Sequence, residues 1–169
     1  MTYHVDIQVL PAQKVAAIRT HSHIDDIPAA MASAYQELYG HLAASGISPE
    51  GPPTAVYSEV DENRGSTIEI CVPVAQAVGA HGRIVADELP AETVVSTLHR
   101  GPYEKLPGAY EALSMYMQEH HLAPIGPMRE QYLNGPSDVA PEDFETLVQW
   151  PVATVPDNAG KLVRHAVNA

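Results

Sequence analysis

The chain has 169 residues, 45% of them apolar, which is enough for one domain with a substantial core. Nine Lys and Arg against 21 Asp and Glu give a formal net charge of −12, which excludes the basic footprint of a direct nucleic-acid reader and disfavours anionic membrane surfaces. The single cysteine, Cys71, excludes an internal disulfide, and without an apolar run typical of a membrane span or signal peptide we expect a cytoplasmic location.

The first half of the chain predicts two strands, a helix and two more strands. Apolar and polar residues alternate at the first strand, as in a half-buried strand. From Ile27 apolar residues follow helical spacing, and Pro28 suits the first turn of a helix, where a missing N–H costs nothing. The predicted elements of this half lie at 5–9, 15–20, 27–42, 54–60 and 67–72.

The second half repeats the first. The segment 10–15 resembles 89–94 at an offset of 79, and Ile27-Pro28 aligns with Leu106-Pro107 at the same offset. Further along, Tyr57 aligns with Tyr132 at an offset of 75. The difference of four residues is about one helical turn, so the second copy lacks about a turn of helix or loop. Its predicted helix and closing strands lie at 106–117, 128–134 and 144–150.

These patterns predict one α+β domain over 1–155. It is a tandem pseudo-two-fold repeat, β-α-β-β or β-β-α-β-β in each copy, with antiparallel sheets, one long helix per repeat and a ligand cleft between the repeats. Repeat one spans about 1–78 and repeat two about 79–155. Residues 156–169 show no clear periodicity and are predicted to form a C-terminal tail or a short final helix.

Each copy carries one strand carboxylate that the other copy lacks. The alignment places Glu130 opposite Ala55, and Glu69 opposite Leu147. Because side chains alternate along a strand, we expect Glu130 to share a face with Tyr132, and Glu69 to point away from its apolar neighbours. We therefore predict a ligand surface on the side of the sheet opposite the helices, lined by Tyr57, Tyr132, Glu69 and Glu130.

A carboxylate among aromatic rings has definite chemistry. Desolvation raises its pKa, a bound organic cation offsets that cost, and the rings add cation–π attraction. The same carboxylate could act as a general base toward water. On a half-exposed strand it could equally be a solvated side chain, and strand tyrosines are often structural.

These residues resemble the GyrI-like small-molecule-binding domain family. The resemblance covers roughly 1–155, and its combined motifs are more specific than any one of them. It rests on the segments His99-Arg100-Gly101-Pro102-Tyr103-Glu104-Lys105-Leu106, Ala109-Tyr110, Gly126-Pro127-Met128-Arg129-Glu130-Gln131-Tyr132 and Ile68-Glu69-Ile70-Cys71-Val72-Pro73-Val74.

The resemblance implies a tandem β-α-β-β fold and a cleft that binds hydrophobic, often cationic, drugs around a central Glu. By position, Glu130 is that carboxylate, Tyr103 edges the cleft, and Tyr110 and Glu69 join the predicted ligand-binding residues. The family often carries a Glu in the last strand of the second copy, where this chain has Leu147. In the family the domain is the effector-binding part of AraC-type and MerR-type regulators, and it also occurs alone.

Three functions follow. The first is a stand-alone binder of hydrophobic, aromatic or cationic small molecules. The second is a hydrolase of strained cyclopropane-containing electrophiles, as in some stand-alone family members, with Glu130 or Glu69 as the base. The third is an acidic module whose protein partner is gyrase or a transcription regulator. The sequence leaves the oligomeric state open.

We predict no cofactor and no metal. Nine histidines invite a metal site, but the pairs at 21–23 and 120–121 lack a His-Glu-x-x-His pattern or a cysteine pair. Haem ligation through His99 or His23 would rest on analogy with related haem-binding folds alone. Cys71 lies in an apolar strand, where a thiol is usually inert.

Overall fold

The computed structural model describes residues 2–61 and 63–155; the predicted tail at 156–169 lies outside the described residues. The described chain forms nine strands and two long helices. In chain order these are β1 (Val5–Leu10), β2 (Gln13–Ser22), α1 (Ile27–Ala44), β3 (Thr54–Asp61), β4 (Gly65–Pro73), β5 (Val85–Leu89), β6 (Glu92–Arg100), α2 (Leu106–Glu119), β7 (Leu122–Pro124), β8 (Met128–Tyr132) and β9 (Glu145–Thr154).

The two helices account for the change of offset between the repeats. The starts of α1 and α2 differ by 79 residues and their ends by 75, because α1 has 18 residues and α2 has 14. Pro28 and Pro107 lie in the first turns, where proline is tolerated. Each helix presents one apolar stripe to the sheet, formed by Ala34, Leu38 and Leu42 in α1.

The sheet joins the repeats through their first strands. Its order is β1-β6-β9-β8-β3-β4-β2-β5, and β7 pairs with the far end of β9. Strand β1 pairs with β6 of the second repeat, and β5 pairs with β2 of the first. Each half of the sheet thus contains three long strands of one repeat and the first strand of the other. Only two residues connect β1 to β2, so the sheet must curl to bring its edges together.

The halves meet where β3 pairs with β8. Ala55 lies directly opposite Glu130, and Tyr57 opposite Met128. Since Ala55 and Glu130 are equivalent in the two repeats, the pseudo-two-fold axis passes between these strands. The chain's main asymmetry therefore lies at the centre of the sheet, where two equivalent positions meet.

The two faces of the sheet have different cores. On the helix face, Ala55, Ile68 and Ile70 pack against α1, while Val95 and Val148 pack against α2. The opposite face, inside the curl, holds a smaller cluster that includes Val15, Cys71 and Leu89. The predicted fold class, α+β with antiparallel strands and one long helix per repeat, is confirmed. Among the described residues no helix is long and apolar enough to span a bilayer.

Candidate functional site

Glu130 lies on the helix face, at the junction of the two halves. Residues directly opposite each other on paired strands share a face. Glu130 is opposite Ala55, and Ala55 is opposite Ile70, which packs beneath α1. Ala55 has a small side chain opposite Glu130, and Glu130 is buried there with only 7% of its surface exposed.

Tyrosine hydroxyls satisfy the Glu130 carboxyl. Tyr132 donates to Oε1 over 2.7 Å, and Tyr110 of α2 donates to Oε2. The hydroxyls of Tyr57 and Tyr132, which occupy equivalent positions in the repeats, lie 3.1 Å apart. We call Glu130, Tyr57, Tyr110 and Tyr132 the carboxylate–tyrosine cluster. It draws side chains from β3, α2 and β8, so both repeats build it.

The cluster is electrostatically unusual. Burial raises the pKa of Glu130, and hydrogen bonds from Tyr110 and Tyr132, with a smaller effect of nearby His99, partly offset that rise. Burial and the Glu130 charge together raise the pKa of Tyr57 and of Tyr110. In the described part of the chain, no Lys, Arg or His forms an ion pair with Glu130. The Glu130 carboxyl is therefore hydrogen-bonded, but no positively charged side chain of the described residues pairs with it.

Aromatic rings surround this cluster. Tyr103, which follows the turn after β6, meets the Tyr132 ring edge-on at 6.0 Å and stacks on Phe144 at 4.8 Å. Tyr103 is 36% exposed and therefore lies at the surface beside Tyr132. On the other side, Trp150 meets Tyr110 edge-on at 6.3 Å.

His99 fixes the segment that carries Tyr103. It is fully buried, its Nδ1 lies 2.8 Å from the Tyr3 hydroxyl and its Nε2 3.1 Å from the Pro102 carbonyl. Because a carbonyl can only accept, Nε2 carries the proton and Nδ1 accepts from Tyr3 in the neutral ring. Both ring nitrogens are thus engaged in holding the turn, an arrangement that suits positioning rather than haem ligation.

Three neighbours of the carboxylate–tyrosine cluster were not among the site residues predicted from the sequence. Met31 of α1 accepts a hydrogen bond from Tyr57 at 3.5 Å, and its signal was its equivalence to Tyr110 at the offset of 79. The Tyr35 hydroxyl and the Thr146 hydroxyl are buried with no hydrogen-bond partner within the described residues. Thr146 lies opposite Tyr132, on the same face, so two unsatisfied polar atoms lie near the carboxylate–tyrosine cluster.

The predicted position of the site was wrong in one respect. Glu130, Tyr57 and Tyr132 come together as predicted, but beneath the helices and not on the opposite face. Glu69 does lie on the opposite face: it is paired with Val56, and Val56 is paired with Arg129. The sheet therefore separates Glu69 from Glu130. The cause is the register between β3 and its neighbours, which periodicity within one strand does not reveal.

The chain belongs to the GyrI-like small molecule binding domain family, whose model matches residues 3–153. This match covers both repeats and every residue of the carboxylate–tyrosine cluster. The general assignment to small-molecule binding is therefore shown, and the resemblance seen in the sequence is confirmed. No curated protein sequence shows significant similarity to the chain.

Solved structures share this fold. The C-terminal domain of EcmrR superposes with a TM-score of 0.77 at 22% identity, over 92% of this chain and 100% of that domain. In the EcmrR–DNA complex the TM-score is 0.80 at 23% identity, over 90% of this chain, which spans 58% of the EcmrR chain. SAV2435, solved bound to tetraphenylphosphonium, gives 0.59 at 16% identity, over 90% of this chain and 94% of that one. All three identities are below 25%, so the likeness concerns the fold.

Proposed function

We propose that the chain binds hydrophobic, aromatic or cationic small molecules through the carboxylate–tyrosine cluster. The observation that carries this proposal is a buried carboxyl with tyrosine donors and no basic partner in the described chain. Burying a carboxylate without a counter-charge is costly, and a bound cation would reduce that cost. A bound cation would thus supply the positive charge that the described residues do not place beside Glu130.

The surrounding rings define the kind of cation. Tyr57, Tyr103, Tyr110 and Tyr132 offer aromatic faces and edges, which attract delocalised lipophilic cations by cation–π and stacking interactions. Tetraphenylphosphonium, the molecule bound to SAV2435, belongs to this chemical class. Since that protein shares only the fold, its ligand serves here as a rational first probe.

Binding requires the cluster to open. Glu130 is nearly inaccessible, whereas Tyr103 is at the surface and contacts Tyr132 directly. We expect a ligand to enter by displacing the Tyr103 ring. The unsatisfied hydroxyls of Tyr35 and Thr146 add polar atoms that a ligand or water could satisfy after opening.

The experiment is a titration of tetraphenylphosphonium followed by the fluorescence of Trp150, the only tryptophan and a neighbour of Tyr110. We expect Glu130→Gln, which keeps the shape but removes the charge, to weaken binding about 10- to 100-fold, equivalent to roughly 1–3 kcal/mol. Glu69→Gln is the matched control on the opposite face and should leave affinity unchanged. Equal affinity in wild type and Glu130→Gln would refute the proposal.

A hydrolase is the second candidate, because burial raises the pKa of Glu130 and so makes it a stronger base toward water. In this reaction Glu130 would take a proton from water, the water oxygen would form a bond to a ring carbon as the strained C–C bond breaks, and Glu130 would then pass its proton to the released carbon. Turnover separates this from binding: a strained cyclopropane substrate should disappear in molar excess over protein, and Glu130→Gln should stop it. Stoichiometric loss alone would exclude catalysis.

A protein partner remains a prediction. EcmrR is solved in complex with DNA, and this chain corresponds to its C-terminal domain rather than to the whole regulator. A DNA-binding partner or gyrase would meet a chain with a net charge of −12. Pull-down at low and high salt tests this, because surface charge contacts are screened by salt.

A further inference from the structure

A cavity lies on the face of the sheet opposite the helices, inside the curl. It has a volume of about 430 Å³ and is separated from the carboxylate–tyrosine cluster by the strands themselves. Val56, Leu89, Pro90 and Pro127 give it apolar walls. Its charged residues come from five different strands, so sequence proximity does not explain why they converge: Arg19, Glu69, Asp87, Glu88, Glu92 and Arg129.

A pair of carboxyl groups marks one end of this cavity. Glu69 of β4 and Asp87 of β5 both line the cavity, and a hydrogen bond between two such acids requires one of them to hold a proton. Burial, this hydrogen bond and the Asp87 charge raise the pKa of Glu69 to about 7, against a smaller opposing effect of Arg19. The same hydrogen bond lowers the pKa of Asp87. The two groups therefore titrate as a unit, with one proton held near neutrality.

The rest of the cavity does not neutralise this pair. Arg129 is already matched: its Nη2 donates to Glu92 over 2.6 Å and to the Pro90 carbonyl over 2.8 Å. Arg19 is the remaining base that lines the cavity, against Glu69, Asp87 and Glu88. The cavity thus keeps an excess of negative charge next to apolar walls. Further out, His21 and Glu59 both bond to Thr67 at the surface.

We propose that this cavity binds a protonated primary amine with an apolar body, the ammonium lying between Glu69 and Asp87 in place of their shared proton. A primary ammonium has three N–H donors and can bond to both carboxyl groups at once. The apolar body would lie along Val56 and Leu89. Two ligand classes would then be separated by the sheet: delocalised lipophilic cations on the helix face, and hydrogen-bonding amines on the other.

A metal ion is the obvious competitor for two carboxyl groups. Among the described residues, however, no three His, Cys, Asp or Glu side chains are placed to hold one. Two carboxylates alone leave a divalent cation mostly hydrated and weakly held. An amine needs fewer ligands, and it also uses the apolar walls.

Calorimetry with 2-phenylethylamine tests the proposal, with its N,N,N-trimethyl analogue as the control that has no N–H donor. The primary amine should bind saturably to the wild type and at least about tenfold more weakly to Glu69→Gln. Asp87→Asn, at an exposed edge position, provides a second variant should Glu69→Gln fold poorly. The same comparison is made in a Glu130→Gln background, which removes the charge of the carboxylate–tyrosine cluster, and the primary amine should still bind there.

Proton release gives a signature that non-specific binding lacks. Near pH 6, where Glu69 holds its proton, binding should release close to one proton per amine, measured in buffers of different ionisation enthalpy. Above about pH 8 the release should vanish, and affinity should be about tenfold tighter than at pH 6. The proposal is overturned by no saturable binding at up to about 10 mM amine, by equal binding of the trimethyl analogue in the Glu130→Gln background, or by loss of amine binding in Glu130→Gln.

Discussion

Glu130 and Glu69 lie on adjoining parts of the same sheet but face opposite sides, and burial raises the pKa of both. Glu130 accepts hydrogen bonds from the hydroxyls of Tyr110 and Tyr132, which offset part of the rise in its pKa that burial causes. Glu69 interacts with another acid, Asp87, which favours the protonated form of Glu69. A buried carboxyl can thus be stabilised by hydrogen-bond donors, as at Glu130, or by protonation, as at Glu69. Under the two proposals, a lipophilic cation would pair with the first carboxyl and an ammonium group would displace the proton of the second.

Among the variants that test this comparison, removal of the tyrosine donors to Glu130 should lower the free energy of unfolding most. The double variant Tyr110→Phe/Tyr132→Phe deletes both hydrogen bonds to Glu130 while keeping the rings. We expect it to lower the free energy of unfolding by about 3 kcal/mol at pH 7, because hydrogen bonds to a charged group are strong and the carboxyl would be left unsatisfied. Urea denaturation measures this, and the loss should shrink at acid pH, where a neutral carboxyl needs weaker donors. A constant loss at all pH values would contradict the ionised assignment.

The next largest effect concerns the buried ion pair on the opposite face. The Arg129 and Glu92 side chains are only 7% and 19% exposed. Glu92→Gln should cost about 2 kcal/mol in urea denaturation, because it leaves a buried guanidinium without its counter-charge. Glu37→Gln is the matched control: its partner Arg83 is bonded at 2.8 Å, but both side chains are more than 40% exposed, so the loss should be much smaller than that of Glu92→Gln. Equal losses would show that burial does not govern these pairs.

The pH dependence of stability should report the raised pKa of Glu69. Because the folded pKa of Glu69 is raised to about 7, the folded chain binds more protons than the unfolded chain between about pH 4.3 and 7. Stability should therefore fall as pH rises from 5 to 8. Screening at this half-exposed site limits the loss to about 1 kcal/mol, or about 3 °C in Tm. Calorimetric melting at several pH values measures it, and Glu69→Gln should remove that part of the slope; an unchanged slope would place the proton elsewhere.

The smallest expected effect is a gain. The Tyr35 hydroxyl is buried near the carboxylate–tyrosine cluster without a partner in the described chain. Tyr35→Phe removes an unsatisfied polar atom and should raise the free energy of unfolding by up to about 1 kcal/mol, opposite in sign to the Tyr110→Phe/Tyr132→Phe variant. Thermal melting detects the difference. A loss of stability would mean that an ordered water satisfies this hydroxyl.

The sequence predicted what depends on local periodicity and on comparing the two copies. The offset change from 79 to 75 predicted a missing turn, which is the difference between the lengths of α1 and α2. Comparison of the repeats singled out Glu130 against Ala55, the pair that meets at the axis.

The remaining features depend on pairing between strands that are distant in sequence. The helix-side position of Glu130 follows from the Ala55–Ile70 pairing, which no single strand encodes. The hydrogen bond from Tyr110 depends on how α2 docks, and the Glu69–Asp87 contact depends on β5 crossing to the other repeat. For these contacts, composition and spacing provide candidate residues but not partners.

The first strand of each repeat pairs with a strand of the other repeat, and this pairing sets the order in which strands can pair during synthesis. Strand β1 emerges from the ribosome first, yet its partner β6 ends at Arg100, so β1 must stay unpaired until more than half of the chain has been made. Strand β2 likewise waits for β5 at one of its edges. Neither repeat can complete its half of the sheet from its own residues, and a nascent first repeat exposes the unpaired backbone of β1 in the meantime. Folding of this domain is therefore coupled to completion of the second repeat, even though the first repeat contains a helix and four strands and the second a helix and five.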